Sequence, residues 1–129
     1  MSQKTVARLL SAAKKATKRA YAPYSKFRVG AAVLTGKGKI YSGANVENSS
    51  LGLSICAERV AVFKAVNAGD TDIKAVLVFT PTGDFTPPCG ACLQVIGEFG
   101  NDPLIILATP KGTKKLRLKK LLPLGFRLK

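Results

Sequence analysis

The chain has 129 residues, of which 47% are hydrophobic, and this length and composition fit one globular domain over residues 1–129. Three cysteines are an odd number, which argues against a disulfide framework, and the lack of histidine excludes every histidine-based catalytic or metal site. No apolar run approaches the roughly 20 residues of a membrane helix, and the N-terminus carries no secretory signal. A cytoplasmic location without membrane contact is therefore predicted.

The formal net charge is +14, from 21 basic and 7 acidic residues. A basic excess of this size is found in nucleic-acid-binding proteins. In the N-terminal segment, however, basic residues share one face of the predicted helix and apolar residues share the opposite face, as in an ordinary amphipathic helix. We therefore favour a solvated basic surface, and a nucleic-acid partner is the second interpretation.

Hydrophobic periodicity predicts an alternating order of helices and strands. In chain order these are a helix over residues 3–20, strands over Phe27–Leu34 and Lys39–Val46, a helix over residues 55–68, a strand over Ile73–Phe79, a helix over Gly90–Phe99, strands over Leu104–Thr109 and Thr113–Lys119, and a helical turn at Leu121–Leu124. Residues 35–38 predict a hairpin turn, and Ser54 is the predicted N-cap of the second helix. The near-continuous apolar run Ile73–Phe79 is typical of a central strand that helices cover on both faces. The sequence therefore predicts a three-layer α/β/α sandwich.

Two short segments carry candidate metal ligands, Cys56-Ala57-Glu58-Arg59 and Pro88-Cys89-Gly90-Ala91-Cys92. Each lies where a loop enters a predicted helix, and there free backbone N–H groups and the helix dipole stabilise a thiolate. Cys89 and Cys92 are three residues apart, so their sulfurs point to the same side of a first helical turn. Structural zinc sites have four protein ligands, whereas catalytic sites have three and keep one position open. Three cysteines without histidine therefore predict a catalytic zinc site.

Glu58 lies two residues after Cys56, near enough to the predicted metal to move protons without binding it. Three thiolates around Zn²⁺ leave a net negative charge, and Arg59 is the predicted donor to a cysteine sulfur that offsets it. The alternatives are buried cysteines acting as small apolar side chains, or a redox pair at Cys89 and Cys92. The combined C-A-E and P-C-x-x-C pattern is more specific, because it marks zinc nucleobase deaminases with three cysteine ligands.

The chain resembles the small homotetrameric cytidine deaminase family over nearly its whole length. The segments that carry the resemblance are Tyr21–Phe27, Val29–Ala32, Asn45–Asn48, Cys56–Arg59, Pro88–Cys92 and Glu98–Gly100. The resemblance implies a five-stranded mixed sheet, one zinc ion per subunit, and a homotetramer whose active sites are built from more than one subunit. It also implies hydrolytic deamination of cytidine and deoxycytidine to uridine and deoxyuridine plus ammonia, a reaction of pyrimidine salvage. Glu58 would carry protons to ring atom N3 and to the leaving amine.

Family roles for substrate contacts come from the same resemblance. Phe27 would stack near the pyrimidine, and Asn45 and Glu47 would hydrogen-bond the ribose 3′-hydroxyl. Backbone groups around Ala57 and Pro87 would contact the pyrimidine and the leaving amine, and Phe126 would cover the base from a neighbouring subunit. For the two phenylalanines the alternative is plain core packing.

Two positions depart from the family pattern: Leu93 stands where many relatives carry arginine, and Leu51 where relatives often carry tyrosine. The rival substrates are cytosine in a polynucleotide and an aminated nucleoside antibiotic. A polynucleotide is disfavoured because Glu47 would face a bridging phosphate. The rival from another class is a basic nucleic-acid-binding module with a structural zinc, for which the sequence offers no ready fourth ligand.

Overall fold

A computed structural model of the chain describes residues 1–128, and residue 129 of the predicted domain lies outside the described residues. The elements are α1 (Gln3–Thr17), β1 (Gly30–Thr35), β2 (Ile40–Ala44), a 3₁₀ turn (Leu51–Leu53), α2 (Ala57–Asn67), β3 (Ile73–Phe79), α3 (Gly90–Glu98), β4 (Leu104–Thr109), β5 (Gly112–Arg117) and α4 (Leu118–Leu121). The strand order is β2-β1-β3-β4-β5, and β3 and β4 are the parallel pair among antiparallel neighbours. The five-stranded mixed sheet is confirmed.

Helices cover both faces of the sheet. Successive strand residues point to opposite faces, so Leu77 of β3 packs with Leu9 of α1 on one side. Its neighbour Val76 packs with Val62 of α2 on the other side, where α3 and α4 also contribute buried residues. The three-layer α/β/α sandwich is therefore confirmed, with β3 at its centre. Within residues 1–128, every helix is too short or too polar to cross a bilayer.

Close contact between α1 and β1 depends on Gly30. A Cβ atom at this position would overlap the carbonyl oxygen of Ala13 and the hydroxyl of Thr17. The Thr17 hydroxyl itself donates to the Ala13 carbonyl at 2.8 Å, so both obstructing groups are fixed and buried. Glycine at position 30 therefore lets α1 lie directly on the sheet.

The first helix ends three residues earlier than predicted. After Thr17, the backbone N–H groups of Arg19 and Ala20 bond to carbonyls three residues back, which tightens the chain into a turn. This turn brings Tyr21 alongside Val46, with which it forms a parallel bridge. The predicted continuation to residue 20 is wrong because the chain must turn here to reach the end of β2.

The first hairpin is shorter at its open end than the predicted strands Phe27–Leu34 and Lys39–Val46. A side chain replaces part of the backbone ladder there. The amide oxygen of Asn45 accepts from the N–H of Val29 at 2.9 Å, and its amide nitrogen donates to the carbonyl of Phe27 at 2.8 Å. Residues 27–29 are therefore held to the end of β2 mainly through Asn45.

The predicted N-cap at Ser54 is wrong, because α2 begins at Ala57 with Cys56 in the N-cap position. Ile55 is extended and exchanges backbone hydrogen bonds with Val46 at 2.9 and 3.0 Å. The Ser54 hydroxyl instead accepts from the N–H of Asn48 at 3.1 Å. The pairing of Ile55 thus delays the helix by two residues and places Cys56 at its N-terminus.

The last two predicted elements have wrong bounds. The fifth strand ends at Arg117 rather than Lys119, and α4 occupies Leu118–Leu121 rather than Leu121–Leu124. The cause lies in the preceding loop, where the Asp102 carboxylate accepts from the N–H of Lys119 at 2.8 Å. This bond satisfies a free N–H group in the first turn of α4 and so favours a helix at that point.

Candidate active site

The three cysteine sulfurs lie together. Sγ of Cys56 is 3.9 Å from Sγ of Cys89, which is 3.5 Å from Sγ of Cys92, and all three atoms lie within 4.8 Å of one another. Tetrahedral zinc with Zn–S bonds of about 2.3 Å separates its sulfur ligands by about 3.8 Å. Within residues 1–128, no further cysteine or carboxylate joins this group. The cluster therefore has the spacing of three zinc ligands with a fourth position free of protein.

Two helix N-termini converge on these sulfurs. Cys56 and Cys89 are the N-cap residues of α2 and α3, and Cys92 lies in the first turn of α3. A hydrogen bond from Cys92, reinforced by Arg59, lowers the pKa of the Cys56 thiol to about 5 although burial opposes the shift. The same hydrogen bond and burial raise the pKa of Cys92. Zinc binds cysteine as the thiolate, so the lowered pKa of Cys56 favours metal binding, and binding would displace the protons of the other thiols.

Arg59 contacts the cluster directly. Its Nη2 donates to Sγ of Cys56 at 3.6 Å, and this hydrogen bond is the largest cause of the raised Arg59 pKa. The structure therefore places Arg59 at a sulfur, the position proposed for it from the sequence. Leu93, at one of the two departing positions, is buried in the core and brings no charge to the sulfurs.

Glu58 lies in the first turn of α2 and is only 4% exposed. Burial raises the pKa of its carboxyl to about 7, its own backbone N–H opposes that shift, and the negative charge of Cys56 adds to it. A carboxyl with a pKa close to neutral pH is suited both to accept and to release a proton. Position and burial thus fit the proton-moving role assigned to Glu58.

A cleft of about 320 Å³ opens beside the sulfurs, a volume near the lower end of the range for small-molecule sites. Its lining combines two of the three cysteines, the carboxyl of Glu58 and most of the predicted substrate contacts. These residues are Cys56, Glu58, Cys89, Phe27, Asn45, Glu47 and Ala57, together with Ser25, Val29, Val78, Thr86 and Pro87. The structure therefore brings every predicted substrate contact except Phe126 into one cleft with the candidate metal site.

Glu47 holds the turn that leads to Phe27. One carboxylate oxygen of Glu47 accepts from the N–H groups of Tyr24 and Ser25, both at 3.1 Å, and the Ser25 hydroxyl donates to the other oxygen. The hydrogen bonds of Ser25 keep the pKa of Glu47 below the ordinary range of glutamate. The Ser25 oxygen also accepts from the N–H of Phe27 at 3.0 Å. Glu47 therefore both lines the cleft as an anion and fixes the loop beside it.

Asn45 likewise both lines the cleft and holds nearby main chain. Its amide holds the main chain of Phe27 and Val29, as described for the hairpin. An asparagine amide carries a second N–H and a second acceptor lone pair, so capacity for a ligand hydrogen bond remains.

Phe126 is the predicted contact that the structure does not bring to the cleft of its own chain. Its side chain is 71% exposed, and its backbone is bound by Gln94 on α3. Residues two apart on a helix point about 200° apart, so Gln94 faces away from the sulfurs that Cys92 faces. Within one chain, α3 therefore separates Phe126 from the cleft.

Four cleft-lining residues have no counterpart among the sequence-based assignments, namely Ser25, Val29, Val78 and Thr86. The same holds for Gln94, which lies outside the cleft. Ser25 stands in a Pro-Tyr-Ser turn, where a hydroxyl that bonds nearby backbone is a usual feature and a usable signal. Thr86 precedes two prolines in a loop, and no local pattern predicts that it faces the cleft. The Gln94 contact joins residues 32 positions apart, which local periodicity does not predict.

Comparison with known families decides the relationship. The model of the cytidine and deoxycytidylate deaminase zinc-binding region matches residues 3–108. The chain belongs to this family. The match includes both cysteine segments, and the zinc cofactor inferred from three cysteines is confirmed by the family and the cluster together.

Individual relatives agree. A cytidine deaminase of Sporosarcina psychrophila is 47% identical over 94% of this chain and 90% of its own length. A probable cytidine deaminase of Dictyostelium discoideum is 45% identical over 95% of this chain and 84% of its own length. The crystal structure of a cytidine deaminase from Burkholderia pseudomallei matches with a TM-score of 0.89 at 42% identity, covering 98% of this chain and all of the other. The predicted fold class is confirmed at the level of the whole chain.

Proposed function

We propose that this chain is a zinc-dependent hydrolase that deaminates cytidine and deoxycytidine to uridine and deoxyuridine, releasing ammonia. The observation that carries the proposal is the group of three sulfurs at zinc-ligand spacing, beside a buried carboxyl, in a cleft of nucleoside size. The family relationship and the relatives named cytidine deaminase support the same reaction.

In this reaction Cys56, Cys89 and Cys92 hold the zinc, which when bound acts as a Lewis acid and makes water more acidic. Glu58 accepts a proton from the attacking water and delivers protons to N3 and to the departing amine. Oxygen from water thus becomes the C4 carbonyl, and the amine leaves as ammonia. Arg59, by its bond to Cys56, offsets the negative charge of three thiolates.

Substrate contacts follow from the cleft. The Phe27 ring stacks near the pyrimidine, and backbone groups at Ala57 contact its polar edge. The ionised Glu47 accepts a hydrogen bond from the ribose 3′-hydroxyl, and the amide of Asn45 donates one to the oxygen of that hydroxyl. An ionised Glu47 at that oxygen favours a free nucleoside over a polynucleotide, in which a phosphate would stand there.

We further propose a homotetramer with shared active sites, in which Phe126 of one subunit covers the base bound by another. Its exposure on the far side of α3 supports this arrangement. A cytoplasmic role in pyrimidine salvage fits three cysteines that must stay reduced to bind zinc.

The test combines metal analysis with an ultraviolet absorbance assay of cytidine conversion to uridine. We expect one zinc per chain, and we expect Glu58→Gln to keep zinc and fold but lower kcat by at least about 100-fold. Glu98→Gln, an exposed glutamate at the end of α3, is the matched control and should retain activity. Full activity in zinc-loaded Glu58→Gln would overturn the proton-moving role.

The same assay separates the rival substrates. Faster turnover of a cytosine-containing oligonucleotide than of free cytidine at physiological salt would replace the proposal with a polynucleotide deaminase. Faster turnover of an aminated nucleoside antibiotic would assign that substrate instead. Zinc without any ammonia release would favour the structural-zinc module.

A further inference from the structure

The C-terminal tail after α4 is fastened to α3 through its backbone. Nε2 of Gln94 donates to the carbonyl of Phe126 at 2.7 Å, and Oε1 of Gln94 accepts from the N–H of Phe126 at 3.1 Å. One residue on, the Arg127 guanidinium donates to the carbonyls of Gly97 and Glu98, both at 3.3 Å. These carbonyls belong to the last turn of α3, which has no helical partner for them. The tail is therefore held at two adjacent points.

The fastening leaves the apolar side chains of the tail free. Leu124, Phe126 and Leu128 are 96%, 71% and 84% exposed. Leu124 lies in the turn after α4, and Phe126 and Leu128 follow it at alternate positions. A tail that is hydrogen-bonded in place yet presents three large apolar side chains has the character of a surface that another molecule covers.

A second copy of this chain is the occupant that the geometry favours. The Phe126 ring lies across α3 from the sulfurs of its own chain and does not line its own cleft. Beside the cleft-lining residues Ser25 and Thr86, the side chains of Tyr24 and Phe85 are 49% and 41% exposed. The tail of one copy thus offers apolar side chains, and the cleft rim of another offers apolar surface to receive them.

We propose that Gln94 is a positioning residue that fixes the main chain of Phe126 on one subunit, so that its ring enters the active-site cleft of another subunit. This inference rests on the proposed function, because the ring acts on bound nucleoside. Since Gln94 follows Cys92 by two residues on α3, the helix that holds zinc for one site sets the aromatic cover of the next. Gln94 itself touches neither substrate nor metal.

The first experiment measures KM and kcat of Gln94→Met, which keeps the side-chain length but removes both hydrogen bonds. An aromatic contact of ordinary strength predicts a KM for cytidine about threefold to tenfold higher, with kcat and zinc content close to wild type. Gln94→Glu keeps the acceptor for the Phe126 N–H but places a carboxylate oxygen against the Phe126 carbonyl, so its KM should be at least as high as that of Gln94→Met. Gln3→Met, at the exposed start of α1, is the matched control and should leave KM unchanged.

A double-mutant cycle separates positioning from general structural damage. If Gln94 acts through Phe126, the KM of Gln94→Met combined with Phe126→Ala equals that of Phe126→Ala alone. Multiplying effects in the double variant would overturn the proposal.

Mixed oligomers test the contribution between subunits. Chains with Glu58→Gln have an inactive site but an intact tail, whereas Gln94→Met chains have an intact site and a displaced tail. In co-assembled oligomers of the two, some competent sites receive an intact tail, so a population with wild-type KM should return. If KM stays at the Gln94→Met value, the positioning role between subunits is refuted. A wild type that fails to deaminate cytidine would instead refute the proposed function.

Discussion

Replacing Asn45 with alanine removes the two hydrogen bonds that tie residues 27–29 to the end of β2. Each neutral bond contributes about 1 kcal/mol, and leaving the partly buried Val29 N–H and Phe27 carbonyl without partners adds to the loss. We expect the free energy of unfolding to fall by about 2 to 3 kcal/mol. For 129 residues the unfolding entropy is about 0.27 kcal/mol/K, so Tm should fall by about 7 to 11 °C.

Urea unfolding and thermal melts of Asn45→Ala measure this loss, with the exposed Asn67→Ala at the end of α2 as the matched control. Asn45→Asp is a second variant, because it keeps the acceptor for Val29 but places a carboxylate oxygen against the Phe27 carbonyl. It should destabilise at least as much as alanine. KM for cytidine should rise as well, since Phe27 loses its tether. A free energy of unfolding of Asn45→Ala within about 0.5 kcal/mol of the wild-type value would refute a stabilising role for these two hydrogen bonds.

Three further outcomes are expected. Gly30→Ala should destabilise by about 3 kcal/mol in urea unfolding because α1 must move away from β1, whereas Gly52→Ala, in open space, should be near neutral. Folding lowers the pKa of Glu47, so its carboxylate stabilises the fold above about pH 4.3, and this stabilisation is lost as the pH falls further. In acid titrations, the free energy of unfolding of Glu47→Gln should therefore depend less on pH than that of the wild type. Arg59→Gln should weaken zinc binding about 10- to 100-fold in competition with a chelator, since the hydrogen bond to Cys56 is lost. For each of these three variants, a stability, pH dependence or zinc affinity equal to that of the wild type would contradict the contact on which the prediction rests.

Elements that are uniformly apolar could be predicted well. The bounds of β3 and β4 agree with the sequence prediction at both ends, because continuous burial on two faces leaves a clear signal. Errors occur where a specific partner decides the boundary. Ile55 pairs with Val46 and delays α2, and Asp102 starts α4 earlier than apolar spacing indicates. Neither partner is visible in local periodicity.

In the candidate site, too, some features could be predicted from the sequence and others depend on long-range contacts. The cysteine ligand set could be predicted because a count of three without histidine leaves few arrangements. Glu47 also accepts hydrogen bonds from Tyr24 and Ser25, which precede it by 23 and 22 positions. Contacts at this separation could not be predicted from local sequence. The hydrogen bond between Gln94 and Phe126 likewise could not be predicted, because it depends on the path of the C-terminal tail across α3.

X-ray absorption spectroscopy at the zinc edge of the purified protein tests the central claim most directly. Three sulfurs at about 2.3 Å and one oxygen or nitrogen neighbour at about 2.0 Å are expected, with one zinc per chain. Protein without zinc, or zinc whose four ligands are all protein atoms, would contradict an open catalytic site formed by Cys56, Cys89 and Cys92.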